Sequence, residues 1–338
     1  MGQTTQSPSR SEGGEAGLFT VREALARGAE YLQNRGSATA RLDTELLVGE
    51  ALGLDRLGLY LNLDRPLDPT ERERARGLVM RRGRLEPVAH ILGRREFYGH
   101  EFEVTSDTLV PRPETEFLVD SALEFLAAQD EADRPPLTLE EDGADSGDDQ
   151  LLAPGARSAA PIPPLPRRIL EVGLGSGCVA ISLALARQGL EVVATELSPA
   201  AAEVARRNAA RLSVADRLTI QVQQDLRGLE AGGLFDGLVS NPPYVPERDR
   251  DQLSPDVRDW EPATALFAGP DGLDCVRWLL DEARNLLRPG AFAALEIGYD
   301  QSALVTDLAQ GLGWTVGGFR RDYAGHERIA LLQWGGIR

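Results

Sequence analysis

Four consecutive residues, Asn241-Pro242-Pro243-Tyr244, carry the chemistry most legible in this chain. They follow an apolar run, Leu234 to Ser240, that predicts a strand with an abrupt end. Two prolines in succession cannot donate to a sheet ladder, so the strand stops there. The stop leaves a carboxamide, a proline carbonyl and an aromatic ring at a strand's C-terminal end, where open parallel α/β sheets bind ligands. Amide and carbonyl oxygens accept hydrogen bonds from an –NH2 group, and a tyrosine ring can lie against a planar one. The combination suits a planar amino or amide nitrogen. Alone, the four residues also read as an ordinary Asx-Pro turn.

Upstream residues supply the rest of a site. Arg168-Ile169-Leu170-Glu171-Val172 reads as a buried strand, followed by Gly173-Leu174-Gly175-Ser176-Gly177 and an apolar helix pattern from Val179 to Ala186. Strand, glycine turn and helix let the backbone approach a nucleotide closely. The dinucleotide fingerprint needs a third glycine where this chain has Cys178, which weakens a reading as an NAD site. A second strand, Leu190 to Thr195, ends at Glu196, whose carboxylate can accept both hydroxyls of a ribose. A third, Leu218 to Val222, leads to Asp225-Leu226, suited to an adenine edge. In this order, and followed by Asn-Pro-Pro-Tyr, the segments point to S-adenosylmethionine-dependent methyl transfer to nitrogen.

From about Phe19 to Trp334, with one interruption, the chain resembles the HemK/PrmC family of release factor glutamine methyltransferases. Besides the motifs above, the resemblance rests on Leu109-Val110-Pro111-Arg112-Pro113-Glu114-Thr115-Glu116, Glu86-Pro87 and Gly93 with Glu96-Phe97-Tyr98-Gly99. Glu261-Pro262 with Ala265-Leu266, Asp271-Gly272-Leu273, Glu296-Ile297-Gly298 and the Asp322/Arg328 pair complete it. A sister group that methylates a large-subunit ribosomal protein has Pro-Arg-Ser-Pro where this chain has Pro-Arg-Pro-Glu, which favours the release-factor branch. Glu171 and Glu196 stand where the family usually has Asp, and Leu174 where Thr is common. The extra methylene keeps each charge and shifts each carboxylate.

The resemblance implies a class I methyltransferase fold: a Rossmann-like, seven-stranded, mostly parallel sheet with its last strand antiparallel, plus a small N-terminal helical domain. It implies S-adenosylmethionine as methyl donor, peptide chain release factors as protein partners and the glutamine of a Gly-Gly-Gln motif as acceptor. By the same resemblance, Gly173, Leu174, Gly175, Ser176 and Gly177 pass beneath the methionine part of the cofactor. Glu196 takes the ribose, Asp225 and Leu226 the adenine, and Asn241 borders both cofactor and substrate. The Asn241 side-chain oxygen and the Pro242 carbonyl accept the two N–H bonds of the acceptor amide, beside Pro243, and Tyr244 packs on its plane. Arg112 and Glu114 come near the substrate without an assigned role. No base strong enough to deprotonate an amide is evident, so orientation must supply much of the acceleration.

Composition sets bounds on these readings. A chain of 338 residues accommodates two domains. No stretch approaches a membrane span, and the N-terminus lacks an apolar signal core. Two cysteines, Cys178 and Cys275, give no disulfide framework, and with three scattered histidines they give no metal-ligand spacing. The expectation is a cytoplasmic monomer without a metal. A net charge of −17 argues against DNA or RNA as the substrate, because phosphate backbones reward clustered Lys/Arg. Adenine-N6 methylation, which would share Asn-Pro-Pro-Tyr, and methylation of the ribosomal protein are the alternatives. A noncatalytic ribosome- or partner-binding module is a third, and the intact motifs speak against it.

The elements that must position these residues follow. Residues 1–17 are expected to be disordered, 18–94 a helical substrate-recognition domain, 95–108 a linking hairpin and 109–338 the catalytic domain. An acidic, proline-rich insertion over 129–167 is also expected to be disordered. Within it, residues 130–149 set Asp130, Glu131, Asp133, Glu140, Glu141, Asp142, Asp145, Asp148 and Asp149 against Arg134 alone, and Pro154, Pro161, Pro163, Pro164 and Pro166 follow. It follows a helix predicted to end near Ala128. Thr20-Val21-Arg22-Glu23 is a capping-box pattern opening a helix to about Asn34, and Ala40 to Leu52 reads as another. Asp68-Pro69-Thr70-Glu71 opens a helix to about Leu85, with Arg72, Arg74, Arg76, Arg81, Arg82 and Arg84 on its exposed face. After Tyr244 the pattern predicts a helix over 273–287, a strand over 292–297, a helix over 302–312 and strands over 314–319 and 329–333, an alternation that implies a doubly wound sheet.

Overall fold

A computed structural model describes residues 19–134, 164–229 and 233–336. The chain divides into two compact units that meet in sequence at Leu92/Gly93. The first is helical: α1 (Val21–Asn34), α2 (Ala40–Leu52), α3 (Arg56–Leu61), α4 (Pro69–Arg82) and α5 (Val88–Leu92). The predicted capping box at Thr20 forms, and the Asp68 N-cap closes a second one. Thr20 Oγ1 accepts from Glu23 N while Glu23 accepts from Thr20 N, and Asp68 and Glu71 do the same around Pro69. Gly53 closes α2 in the left-handed region, at φ +65°. Val21, Val48, Leu59 and Ala75 form one buried cluster, and Leu32, Leu47, Val79 and Ile91 another.

The arginine face of α4 departs from expectation. Arg72, Arg74, Arg76 and Arg84 are exposed, but Arg82 is buried. Its Nε donates to Asp43 Oδ2 at 2.7 Å. The Ser37 and Thr39 hydroxyls donate to the same carboxylate, at 2.7 and 2.8 Å. Arg81 turns to Glu86. A buried carboxylate on α2 demands a cation, and the last turn of α4 supplies it.

The second unit opens with a hairpin, β1 (Arg94–Phe97) and β2 (His100–Glu103). Tyr98 and Gly99 make its two-residue turn with φ +52° and +75°, the sign that tight hairpin turns require at both positions. The hairpin clusters with the catalytic unit. The remaining elements are α6 (Glu116–Asp133), β3 (Arg167–Val172), α7 (Cys178–Ala186), β4 (Leu190–Glu196), α8 (Pro199–Arg211), β5 (Leu218–Val222) and β6 (Phe235–Ser240). They continue with α9 (Pro255–Arg258), α10 (Asp274–Glu282), β7 (Leu287–Glu296), α11 (Ser302–Gly311), β8 (Trp314–Arg321) and β9 (Glu327–Trp334).

Seven strands form one sheet in the order β5-β4-β3-β6-β7-β9-β8. Neighbours from β5 to β7 run parallel, and β9 is antiparallel to both β7 and β8. Successive residues of the central strands feed opposite faces. Ile169, Val239 and Phe292 join a core with α6 and α7, whereas Leu170, Leu238 and Ala293 join one with α10. Burial on both sides explains why these strands read as unbroken apolar runs. The order places β3 beside β6, so the glycine turn and Asn-Pro-Pro-Tyr leave adjacent strand ends.

The flanks of the expected insertion are built into the fold. The predicted helix does not stop near Ala128 but runs on to Asp133, because Asp130 is drawn into the core. Its carboxylate accepts from Arg167 Nε at 3.0 Å, from Arg187 Nη2 at 2.8 Å and from Leu165 N at 3.2 Å. Arg167 also pairs with Asp133 at 2.8 Å. Residues 129–134 and 164–167 therefore belong to the domain. The rest of the insertion, 135–163, and the N-terminal segment lie outside the described residues.

Candidate active site

β3 delivers the chain into the glycine turn at its C-terminal end. Gly173, Gly175 and Gly177 all adopt positive φ, +80°, +57° and +83°, which glycine tolerates without strain. They serve two purposes. A Cβ on Gly173 or Gly175 would meet nothing within 4 Å, so these two keep backbone open toward a cleft. A Cβ on Gly177 would lie 2.9 Å from Ile181 Cδ1 and 3.2 Å from Ala205, so this glycine lets α7 and α8 pack closely. Asn208 of α8, fully buried, holds the turn from behind: its Nδ2 donates to Ser176 O at 2.9 Å.

The cleft has a volume of about 720 Å³. Of the residues singled out in the sequence, Gly173, Leu174, Gly175, Ser176, Glu196, Asp225, Asn241, Pro243 and Arg112 line it. Gly177, Leu226, Pro242, Tyr244 and Glu114 do not line it. Leu226 is turned into the core beside Leu229 and Leu238. Apolar wall at that end comes instead from Leu197, 56% exposed and directly after Glu196. A bare leucine following a strand-terminal acid was the available signal for it.

Two carboxylates face the cleft from neighbouring strands. Glu196 accepts from Gly175 N at 2.8 Å and Ser198 N at 2.9 Å, one per oxygen, which fixes its plane and leaves a lone pair on each oxygen for a ligand. Glu171 is buried, and its Oε2 has no hydrogen-bond partner. Burial pushes its carboxyl well above the usual range; the nearby charge of Glu196 adds to the shift and the Ala180 N–H opposes it.

At the end of β6, Ser240 Oγ donates to Val172 O at 2.6 Å and ties the two loops together. Asn241 follows. Its Nδ2 donates to Thr115 Oγ1 at 3.2 Å, and Thr115 Oγ1 donates to Glu296 Oε2 at 2.7 Å. The Tyr244 hydroxyl donates to the other Glu296 oxygen at 3.3 Å. Glu296 closes β7, is 2% exposed, and has its carboxyl pushed up to about 7 by burial. Burial and the same charge raise the Tyr244 phenol. Beyond Tyr244 the loop is pinned by Gln301, whose Nε2 donates to Tyr244 O at 3.0 Å. A Cβ on Gly272 would reach within 2.3 Å of that carbonyl, so the Asp271-Gly272-Leu273 element makes room for the motif. Arg112 Nη2 donates to the buried Glu261 at 2.5 Å, giving the loop before α6 a second anchor. Glu114 lies close enough to Glu296 for its charge to disfavour ionisation there.

With this geometry in place, comparison with known proteins decides the family. The PrmC N-terminal domain matches residues 23–93 and the methyltransferase small domain matches residues 142–254. A release factor glutamine methyltransferase of Geobacter sulfurreducens is 36% identical, the match covering 92% of this chain and 96% of that one. Those of Moorella thermoacetica and Chlorobaculum tepidum are each 37% identical, over 93% and 87% of this chain and 98% and 90% of theirs. The chain belongs to the release factor glutamine methyltransferase family.

For a release factor glutamine methyltransferase, the sequence motifs pick out much of the cleft's lining and miss the side chains that hold it. Thr115, Glu296, Gln301 and Asn208 touch the motifs through side chains from four other segments. Thr115 and Glu296 do stand inside the Pro-Arg-Pro-Glu-Thr-Glu and Glu-Ile-Gly elements. A polar residue buried in an apolar strand, as Glu296 is after Ala293-Ala294-Leu295, was the signal that could have singled it out.

Proposed function

We propose that this protein transfers a methyl group from S-adenosylmethionine to the side-chain amide nitrogen of the glutamine in the Gly-Gly-Gln motif of peptide chain release factors. The observation that carries the reading is Asn241 on the cleft wall with its Nδ2 committed to Thr115, which leaves Oδ1 as the end available to an acceptor N–H. The cleft fits the cofactor. Gly173 and Gly175 leave a cradle that any side chain would fill, Glu196 is held for two hydroxyls, and the unpartnered Glu171 Oε2 suits an ammonium group.

The bound cofactor would supply an electrophilic methyl on a sulfonium. The protein's part is orientation. Oδ1 of Asn241 and the carbonyl of Pro242 would accept the two amide N–H bonds, turning the nitrogen lone pair toward the cleft. Both contacts strengthen as positive charge develops on nitrogen. Tyr244, tied to Glu296, would border the amide plane. Incubating the protein with labelled S-adenosylmethionine and, separately, release factor, large-subunit ribosomal protein and DNA tests the assignment. Label on the Gly-Gly-Gln glutamine is expected. Label confined to the ribosomal protein or to DNA adenine would overturn it.

A further inference from the structure

Asn241 can serve an acceptor amide only in one of its two flips. With Oδ1 toward the acceptor it receives an N–H; with Nδ2 there it presents a donor to a donor. Something must choose between nearly isosteric states. The structure holds a chain of hydrogen bonds with one direction: Asn241 Nδ2 to Thr115 Oγ1 at 3.2 Å, then Thr115 Oγ1 to Glu296 Oε2 at 2.7 Å. Glu296 and Thr115 are both about 2% exposed, so water does not compete for these bonds.

We propose that Glu296 and Thr115 are positioning residues forming a directional relay: the ionised Glu296 carboxylate accepts the hydrogen bond of the Thr115 hydroxyl, which is left able only to accept from Asn241. The inference rests on the methyl-transfer reading above. Its logic is donor counting. A hydroxyl has one proton. While that proton points at Glu296, the Asn241 amide must turn Nδ2 to Thr115 and Oδ1 to the acceptor. Once Glu296 is protonated it can itself donate to Thr115, and the Thr115 proton is released to bond Asn241 Oδ1. The amide then flips and the site loses its acceptor.

Every charged group facing Glu296 bears on when this happens. Burial disfavours the carboxylate and Glu114 adds to that; Thr115, Arg328 and the Tyr244 hydroxyl favour it, leaving the group near 7. Arg112 acts on Tyr244, and the Cys178 thiol feels the Glu296 charge. The acceptor glutamine does not titrate in this range, so it contributes no pH limb of its own.

The test is kcat against pH on purified release factor, for the wild type, Thr115→Val, Thr115→Ser and Glu296→Gln, with cofactor affinity measured at each pH. For the wild type, kcat should fall about tenfold per pH unit below 7 while S-adenosylmethionine affinity holds. Thr115→Val should lose about tenfold or more in kcat at pH 8 with its acid limb flattened, and Thr115→Ser should restore both. Glu296→Gln should show no acid limb. A wild-type kcat that is flat from pH 6 to pH 8.5, or a limb that persists unchanged in Glu296→Gln, overturns the relay. So does a Thr115→Val enzyme as fast as the wild type. Absence of methyl on the release factor at any pH would instead overturn the function on which the relay rests.

Discussion

On the proposed reading Asn241 acts through what it accepts, so truncating it should separate chemistry from binding. Asn241→Ala is expected to leave S-adenosylmethionine affinity nearly unchanged and to lower methyl transfer ~100-fold or more, since losing an acceptor that strengthens in the transition state costs about 3 kcal/mol. Calorimetry and single-turnover labelling check the two halves. Gly175→Val should act on binding instead. A Cβ there projects into open cleft at φ +57°, so the variant should lose cofactor binding in calorimetry. Glu296 adds a stability signature. Its carboxyl lies near 7 in the folded protein against an ordinary 4.5. A raised acid favours folding while protonated, so its contribution is full below about 4.5 and is lost as pH rises through about 7, a swing of about 3 kcal/mol. Urea titrations at pH 5 and pH 8 should therefore show Glu296→Gln gaining on the wild type at the higher pH. Asn241 and Glu196 were legible in the sequence because conspicuous residue types stand at strand ends. The relay was not, because its bonds span 126 and 181 residues and a threonine in a loop has many uses.

Elements were legible where local chemistry decides them. Capping boxes at Thr20 and Asp68 set two helix starts, and Pro242-Pro243 sets the end of β6. Ends set by tertiary partners were not. α6 outlasts its apolar pattern because Asp130 meets Arg167 and Arg187, and the acidic composition of that stretch hides this buried carboxylate within it. Removing that group takes the carboxylate from the buried Arg187 guanidinium and leaves Arg167 to Asp133 and Asp236. Asp130→Ala should lower the unfolding free energy by about 3 kcal/mol, read from denaturant midpoints. A chain whose residues 135–163 are exchanged for a short Gly/Ser linker should methylate release factor at the wild-type rate. Extending the exchange back to Asp130 should reproduce the stability loss of Asp130→Ala.

At the scale of the whole molecule, acidity and cleft agree. The chain carries a net charge of −17, and Glu196 and Asp225 line the cleft, a field suited to a cationic ligand and unsuited to a phosphate backbone. The helical unit has its own buried pair. Arg82→Ala should lower the stability of that unit by about 3 kcal/mol in urea, by stranding Asp43. Seven strands with the last antiparallel were implied by family resemblance rather than by periodicity, and strand order was not legible, because a parallel sheet's neighbours are chosen by long crossovers that leave no local mark. The Asp130 knot also bears on what the fold can carry. It joins the last turns of α6 directly to the start of β3, so the chain leaves and returns at one fixed point. The closure entropy of an excursion anchored there grows by only about 0.6 kcal/mol for each doubling of its length. A whole foreign domain, such as a fluorescent reporter, spliced between these anchors is therefore expected to leave methyl transfer intact, as labelling of release factor would show.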